Sequence, residues 1–257
     1  MSLHPNHALP RLIAHRGLSA HAPENTLAAV RAAHEASCQW VELDVQLLGD
    51  GTPVIWHDAT LKRCSDGQGP LAKLDLATAR KLDVGSWFGD AFVGERMATL
   101  DEMLDLLLAL NMGVNMELKV AKRRSGTELA EVVIPPLLKA LPPERLIVSS
   151  FDPPALHQAR SIADASLLPI GILTEGVPKN WRSRCEALDA YSIHTDWTRL
   201  TAQRAGEIKA AGYRLLCYTP NDPAAFAKQW GWGVDSAITD DPALFHAISL
   251  PPEPLDT

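Results

Sequence analysis

The strongest constraint on the fold is a repeating pattern of short apolar runs separated by stretches with helical periodicity. Eight of these runs are predicted to be strands: Arg11–His15, Trp40–Val45, Gly113–Leu118, Leu146–Phe151, Leu168–Leu173, Ala190–His194, Arg214–Thr219 and Ser236–Thr239. Strands that alternate with helices indicate parallel βα units. Eight such units predict an α/β fold, a closed (β/α)8 TIM-type barrel. Because such barrels use roughly 250 residues as one domain, residues 1–257 are predicted to form a single barrel domain.

Two segments carry clear signals for helices between the strands. Residues Leu27–Ser37 have an apolar stripe and follow Asn25-Thr26, a pair suited to cap the helix. Thr99 and Glu102 have the spacing of a capping box and stand before the apolar stretch Met103–Leu110. Both signals support a βα alternation.

A ninth apolar run, Pro53–His57, follows the second predicted strand after a gap centred on Gly49-Asp50-Gly51. An Asp-Gly pair is typical of a β-hairpin. A parallel crossover needs about a dozen or more residues, and the gap is too short for one. We therefore predict that Pro53–His57 pairs antiparallel with Trp40–Val45. This pairing brings His57 to the same mouth of the barrel as His15.

The segment from Asp58 to Ala98 is too long for a simple connection between a hairpin and the next barrel unit. It contains two turn-rich stretches, Asp66–Pro70 and Gly85–Gly89. Long connections of this kind are usually functional loops or small subdomains. Residues 58–98 are therefore predicted to be a lid or a small insertion within the single domain.

Composition excludes some classes of function. The formal net charge is −7, whereas a nucleic-acid-binding protein needs a basic field. No apolar run reaches the roughly 18 residues of a membrane-spanning helix, and the start of the chain lacks the apolar core of a secretory signal. The four cysteines are widely spaced, which is typical of reduced, isolated thiols. We expect a cytoplasmic protein without stable membrane insertion, and a frayed Pro-rich tail over Pro251–Thr257.

Chemically useful side chains stand at the ends of the predicted strands, where barrel enzymes have their active sites. Residues two apart on a strand share a face, so Glu42 and Asp44 point together, as do Glu117 and Lys119. Three carboxylates at neighbouring strand ends repel one another unless a cation lies between them. Their oxygens suit a hard divalent cation such as Mg²⁺ or Ca²⁺. The alternative interpretation is a rim of solvated acids without a cation. A single acid at a strand end would fit that alternative better than three acids together.

Two histidines belong to the same rim. His15 ends the first strand and His57 ends the hairpin, and a pair beside a cation suits general acid–base catalysis. Arg16 offers a planar donor fork for a phosphate, and Lys119 offers a point charge. The ordinary alternatives are that the two histidines are core residues and that Arg16 and Lys119 form salt bridges with the rim acids. Among the remaining histidines, only His194 is expected to reach the rim of the pocket.

These residues resemble the glycerophosphodiester phosphodiesterase family, most closely its bacterial cytosolic type. Five separated motifs carry the resemblance in the right order: His15-Arg16-Gly17, Pro23-Glu24-Asn25-Thr26, Glu42-x-Asp44, Val54-x-x-His57-Asp58 and Glu117-x-Lys119. Later similarities are weaker, and they are Ser150-Phe151, Tyr218-Thr219-x-Asn221 and Val234-Asp235-x-x-Ile238-Thr239-Asp240. The sequence departs from the family at two positions in or near these later motifs. Many members have Trp where this chain has Tyr218 and Gly where it has Ser236, and both departures leave the alcohol pocket undefined.

The resemblance implies a barrel like that of the phosphoinositide-specific phospholipases C and hydrolysis of a glycerophosphodiester to glycerol 3-phosphate and an alcohol. It also implies a role for each matched residue. Glu42, Asp44 and Glu117 are expected to hold the cation, and His15 and His57 to form the acid–base pair. Arg16 and Lys119 are expected to contact the phosphate, and Tyr218 the rest of the substrate. The motif Pro23–Thr26 is expected to shape the first loop and cap a helix.

Several questions remain open at this point. The attacking group is either water or the neighbouring glycerol hydroxyl, which would give a cyclic intermediate. An alternative function is a phosphodiesterase like lysophospholipase D at a membrane surface, for which Trp87-Phe88 and Phe92 offer an apolar lip. A third reading, a non-catalytic binding module, would require the loss of a key residue, and none is lost. The headgroup, the choice between Mg²⁺ and Ca²⁺, the assignment of acid and base, and the oligomeric state are not defined by the sequence.

Overall fold

The computed structural model describes residues 9–246, and this part of the chain forms a closed parallel barrel. Its strands are β1 (Leu12–His15), β2 (Trp40–Leu47), β3 (Pro53–Ile55), β4 (Gly113–Leu118), β5 (Leu146–Ser150), β6 (Ile170–Thr174), β7 (Ser192–Asp196), β8 (Arg214–Tyr218) and β9 (Ser236–Thr239). The sheet order is β1-β9-β8-β7-β6-β5-β4-β2-β3, and the pairing of β1 with β2 closes the barrel. The predicted (β/α)8 TIM-type fold is confirmed.

Helices follow the barrel strands along the chain. They are α1 (Leu27–Glu35), α2 (Leu76–Ala79), α3 (Leu100–Ala109), α4 (Gly126–Ala140), α5 (Pro153–Ile162), α6 (Trp181–Ala187), α7 (Ala202–Ala210), α8 (Pro223–Gly231) and α9 (Ala243–His246), with short 3-10 turns at Leu71–Lys73, Asp90–Phe92 and Pro143–Arg145. Thr26 caps α1 by accepting a hydrogen bond from the backbone N–H of Ala29. Thr99 and Glu102 form the predicted capping box of α3.

The predicted hairpin is confirmed. Strand β3 pairs antiparallel with β2, with Val45 opposite Ile55 and Leu47 opposite Pro53. The turn closes with a hydrogen bond of 2.9 Å from the N–H of Leu48 to the carbonyl of Thr52. Gly51 has a φ of 86°, a conformation that glycine adopts without steric cost. The paired strand ends at Ile55, so His57 lies just beyond it.

Residues 58–98 form the predicted insertion before β4. Its apolar side chains pack with those of the hairpin in a cluster of their own: Leu48, Val54, Trp56, Leu61, Cys64, Leu71, Ala79, Val84 and Met97. Since each large apolar side chain buried contributes about 1.5–3 kcal/mol, this cluster anchors the insertion to the hairpin that carries His57. The lid role and the division of the chain into a single domain remain proposals.

The core of the barrel has two parts. The larger one lies between the strands and the surrounding helices and includes Val41, Leu43, Val114 and Leu137. The smaller one fills the barrel interior with Ile13, Trp40, Ile147, Tyr191, Leu216 and Ile238. This interior packing leaves the polar side chains at the carboxyl ends of the strands to form the site.

In the described range of residues, no helix is long and apolar enough to cross a membrane. The expectations about the first residues of the chain and about the tail Pro251–Thr257 fall outside residues 9–246.

Candidate active site

A cavity of about 300 Å³ opens at the carboxyl ends of the barrel strands. Its lining residues are His15, Arg16, Glu42, His57, Asn115, Glu117, Lys119, Phe151, Leu173, Glu175, Tyr218, Thr219 and Ile238. Every residue predicted for the site lies here except Asp44 and His194. The Asp44 carboxylate is buried beside the cavity, where it pairs with Arg16 and Lys119.

The three predicted cation ligands come together. Oxygens of Glu42, Asp44 and Glu117 lie within 4.8 Å of one another. All three side chains are buried, and strand register explains their meeting, because Asp44 on β2 stands opposite Glu117 on β4. Asn115 belongs to the same stretch of β4, and its Oδ1 is buried without a hydrogen-bond partner.

The charge states of these acids fit a cation site. Burial raises the pKa of Glu42 well above its ordinary value, and the neighbouring Asp44 and Glu117 raise it further. Burial, followed by the charge of Asp44, raises the pKa of Glu117 to about 7. Burial opposes ionisation of Asp44 as well, but Lys119 and Arg16 outweigh it and lower that pKa to about 2. A divalent cation would favour the ionised forms of Glu42 and Glu117 against burial and mutual repulsion, so the donor set fits one.

Two cationic side chains lie against the acids. Arg16 Nε is 3.3 Å from Asp44 Oδ2. Lys119 Nζ is 2.9 Å from Glu117 Oε1 and 3.4 Å from Asp44 Oδ1. Burial disfavours both charges, but the surrounding carboxylates outweigh it and raise the pKa of Arg16 and of Lys119. Both side chains are therefore cationic, as the binding of a phosphate requires.

The first loop holds this arrangement together. Arg16 and Asn25 have left-handed backbones, with φ values of 55° and 59°, and the N–H of Asn25 bonds the carbonyl of Arg16 at 2.9 Å. Glu24 Oε1 accepts from Arg16 Nη1 at 2.7 Å. Asn25 Nδ2 donates to Asp44 Oδ2 at 2.8 Å. The expected helix cap is present at Thr26, and the two residues before it contact the site directly.

His15 is held by a residue from the far end of the chain. Its Nδ1 lies 2.6 Å from Asp240 Oδ1, and its Nε2 lies 3.8 Å from Glu42 Oε2. Asp240 is fixed in turn by Ser19 Oγ at 2.9 Å and by Asn221 Nδ2 at 2.6 Å. A carboxylate at Nδ1 favours the tautomer with its proton on Nδ1, which leaves the lone pair of the ring on Nε2.

His57 has a parallel arrangement. Its Nδ1 lies 2.7 Å from Asp58 Oδ1, and burial lowers its pKa. The backbone around it is fixed by buried Gln46, whose Nε2 lies 2.9, 2.8 and 3.0 Å from the carbonyls of Trp56, His57 and Asp58. Both histidines thus reach one cavity with their Nδ1 atoms held by carboxylates.

The opposite side of the cavity is apolar and aromatic. Tyr218 and Phe151 meet edge to face, with ring centroids 6.1 Å apart. Tyr218 donates its hydroxyl to the carbonyl of Thr174 at 3.0 Å, so the ring is fixed. Leu173 and Glu175 also line the cavity. Phe151, Leu173 and the ring of Tyr218 thus give this part of the cavity a largely carbon surface.

The expectation for His194 is wrong. This side chain is 0% exposed, and its Nε2 lies 2.8 Å from Ser192 Oγ inside the barrel. Strand β7 continues two residues past His194, to Asp196, so His194 lies one layer below the mouth. Gly171 on β6 makes room for its ring, since a Cβ there would lie 2.5 Å from His194 Nε2.

A cluster of buried carboxylates, two fixed cations and two carboxylate-held histidines at the mouth of a parallel barrel defines a barrel enzyme for an anionic substrate. The sequence model of the glycerophosphoryl diester phosphodiesterase family matches residues 15–244. The chain belongs to this family and is a phosphoric diester hydrolase. A glycerophosphodiester phosphodiesterase of Caldanaerobacter subterraneus subsp. tengcongensis is 36% identical over 236 residues, which cover 90% of this chain and 94% of that protein. One from Bacillus subtilis is 29% identical over 252 residues, covering 92% and 85% of the two chains.

Solved structures agree with this assignment. A phosphodiesterase of Oleispira antarctica, solved with the product sn-glycerol-3-phosphate, has a TM-score of 0.88 and 37% identity, covering 93% of this chain and 96% of that one. The glycerophosphodiester phosphodiesterase of Thermotoga maritima has a TM-score of 0.73 and 27% identity, covering 94% and 99% of the two chains.

Proposed function

We propose that this enzyme hydrolyses small-molecule glycerophosphodiesters to glycerol 3-phosphate and an alcohol, with His15 and His57 as its acid–base pair. The observation that carries this assignment is the matched pair of imidazoles in one cavity, each with Nδ1 against a carboxylate. Such a contact orients the ring and fixes its tautomer, so the opposite nitrogen exchanges a proton with the substrate. The relative solved with sn-glycerol-3-phosphate supports the same product.

Glu42, Asp44 and Glu117 would hold one divalent cation, Mg²⁺ or Ca²⁺. Their oxygens are the ligand type that hard cations prefer, and their mutual distances of at most 4.8 Å fit a shared ion. When bound, the cation supplies positive charge that stabilises the phosphate as negative charge develops on its oxygens. Nearby, Glu24 orients Arg16 and Glu117 orients Lys119.

The phosphate is placed by Arg16 and Lys119, whose charged groups line the cavity beside the acids. Tyr218 and Phe151 offer flat apolar surface to the carbon skeleton of the substrate. One histidine removes a proton from the attacking hydroxyl, and the other gives a proton to the leaving oxygen. The attacking group is either water or the adjacent glycerol hydroxyl. Quenched time points analysed by ³¹P NMR separate the two, because only the second route forms a cyclic phosphate.

The decisive experiment measures turnover of a panel of glycerophosphodiesters by purified enzyme, with and without chelator. Replacing His15 or His57 by Ala should lower kcat by about 10²–10⁴-fold, the usual contribution of general acid–base catalysis, with metal affinity nearly unchanged. Glu42→Gln is the matched comparison, because it should weaken metal binding and recover part of its activity in excess metal. Near-normal kcat in both histidine variants, with an intact circular dichroism spectrum, rules out the two-histidine mechanism.

A second measurement assigns the roles of the two histidines. A diester with a nitrophenyl leaving group needs little protonation when its bond to phosphorus breaks. It should therefore restore turnover in the variant that lacks the general acid and leave the other variant impaired. Equal rescue of both variants would contradict a division into acid and base.

An apolar surface feature keeps a lysophospholipase D-like activity as a second candidate. Trp87, in the insertion, is 40% exposed and meets Phe88 edge to face, with centroids 5.5 Å apart. No described residue that lines the cavity belongs to the insertion, which favours the small-molecule substrate. Turnover of lysophosphatidylcholine in vesicles, lost in Trp87→Ser, would support the membrane reading. No turnover in that assay removes it.

We also propose that the enzyme acts in the cytoplasm. All four cysteines lie in the described residues, all are unpaired, and three of them are buried. Free thiols persist in a reducing compartment. Cell fractionation with a tagged full-length chain tests this assignment, and recovery in the membrane or secreted fraction would contradict it.

A further inference from the structure

One guanidinium of the insertion joins the two halves of the active site. We propose that Arg63 is a positioning residue that fixes both the phosphate-binding Arg16 and the acid–base His57, each through a carboxylate. The assignment rests on the proposed function, since it takes these two residues as parts of the catalytic machinery. Arg63 itself is not among the residues that line the cavity.

The contacts of Arg63 form a continuous bridge. Nη1 lies 2.5 Å from Glu24 Oε2, and Nη2 lies 2.8 Å from Glu24 Oε1. On its other side, Nε lies 2.8 Å from Asp58 Oδ2, and Nη2 lies 2.9 Å from Asp58 Oδ1. Glu24 then bonds Arg16, and Asp58 bonds His57. Two carboxylates that would repel each other are thereby joined by one cation.

The loop holds Arg63 in place through its neighbours in sequence. Leu61 and Cys64 are buried in the cluster of the insertion, so the chain is anchored on both sides of Arg63. The indole N–H of Trp56 donates to the carbonyl of Thr60 at 3.1 Å. Arg63 is therefore presented by a packed segment, although its own side chain is 45% exposed.

The geometry requires arginine. Its planar fork presents donors along two edges, and here one edge meets Glu24 while the other meets Asp58. Lysine has the same charge but a single nitrogen at its end, so it satisfies one carboxylate at a time. A second arginine of the insertion, Arg80, offers a matched control. It also binds a carboxylate through both terminal nitrogens, that of Glu102, and it is 40% exposed, but it lies away from the cavity.

The test compares Arg63→Ala, Arg63→Lys and Arg80→Ala with wild-type enzyme on a glycerophosphodiester with the metal present. We expect Arg63→Ala to lower kcat by about 10- to 100-fold, the usual effect of releasing groups that orient an active site. Arg63→Lys should recover only part of this loss, and Arg80→Ala should leave kcat unchanged. Free guanidinium at non-denaturing concentration should raise the activity of Arg63→Ala but not that of His57→Ala. If Arg63→Ala does not fold, Arg63→Lys decides the question, and wild-type kcat in that variant overturns the proposal.

A mutant cycle separates positioning from general stabilisation. In a background that carries Glu24→Gln and Asp58→Asn, Arg63 has lost the carboxylates through which it acts, so its replacement by Ala should have little further effect on kcat. An undiminished effect in that background, or equal losses in Arg63→Ala and Arg80→Ala, overturns the positioning role. Wild-type enzyme that turns over no glycerophosphodiester refutes the proposed function instead, and the two failures are thus distinguishable.

Discussion

Replacing Asp240 by Asn tests how His15 is prepared for proton transfer. The substitution keeps the size of the side chain and removes its charge. The orientation of the new side-chain amide is fixed by Asn221. The Oδ1 atom of Asn221 already accepts hydrogen bonds from Thr239 Oγ1 and from the N–H of residue 240, both at 3.0 Å. Asn221 Nδ2 must then donate to position 240, so the new amide oxygen faces Asn221. The new NH₂ group faces His15 Nδ1 and favours the tautomer with its proton on Nε2, the wrong nitrogen.

The size of the effect follows from the contact that is lost. A hydrogen bond to a charged group contributes about 1.5–3 kcal/mol, and about 1.4 kcal/mol is a tenfold change in rate, which gives a loss of about 10- to 150-fold. Inversion of the tautomer adds to this loss, whereas solvent screening reduces it, because the side chains of His15 and Asp240 are 18% and 34% exposed. We therefore expect kcat to fall by about 10²-fold, toward the lower end of the range for general acid–base catalysis.

The assay is steady-state turnover of a glycerophosphodiester at saturating metal, with Asp241→Asn as the control. Asp241 is adjacent in sequence and also holds a histidine, His21, at 3.0 Å, but outside the cavity. The Asp241→Asn variant should keep wild-type kcat. Long-range ¹H–¹⁵N spectra should show the proton of neutral His15 on Nδ1 in the wild type and on Nε2 in Asp240→Asn. A variant that is correctly folded and retains wild-type kcat and the wild-type tautomer would refute this reasoning.

Further predictions concern the cation, the hairpin, a helix cap and the thiols. EDTA should abolish activity, and Mg²⁺ or Ca²⁺ should restore it and raise Tm by relieving repulsion among the buried acids; full activity in metal-stripped protein would exclude a cation. Gln46→Leu leaves three carbonyls without their donor. Chemical denaturation should therefore show that the free energy of unfolding falls by about 1–3 kcal/mol, and kcat should also fall. Wild-type stability together with wild-type kcat would contradict this. Thr99→Ala should lower the free energy of unfolding, measured by the same denaturation, by about 1 kcal/mol and should leave kcat unchanged. Burial raises the pKa of Cys185 to about 12 and also raises that of Cys217, so iodoacetamide should modify both slowly until the protein unfolds; rapid labelling of native enzyme would oppose this.

Features with a local cause could be predicted from the sequence. Each barrel strand is a short apolar run, and the hairpin follows from the short Asp-Gly connection between Trp40 and His57. The meeting of Glu42, Asp44 and Glu117 also follows from local rules, because residues two apart share a face and parallel strands end at one rim. The family motifs added roles that spacing alone does not give.

Features that depend on distant contacts could not be predicted. Asp240 reaches His15 across 225 positions of the chain, and only the closed barrel makes them neighbours. Arg63 meets Glu24 through an irregular loop without periodicity. The error at His194 has a different cause, because strand β7 ends in Thr195 and Asp196, polar residues that hydrophobicity excludes from a strand. Gln46 gave no signal either, since it directly follows the predicted strand Trp40–Val45, where a glutamine looks like an ordinary solvent-facing residue.

The two histidines differ in how far along the chain the residues that hold them lie. His57 acquires its partner from the next residue and its backbone contacts from Gln46 in the adjacent hairpin, all within 12 positions of the chain. Such short-range contacts form early, whereas contacts between distant parts of the chain form late because closing a long loop costs entropy. The pair His15–Asp240 requires β9 to dock beside β1 and complete the barrel. We therefore expect turnover during refolding to recover only when β9 has docked beside β1, because His15 has its carboxylate partner only then.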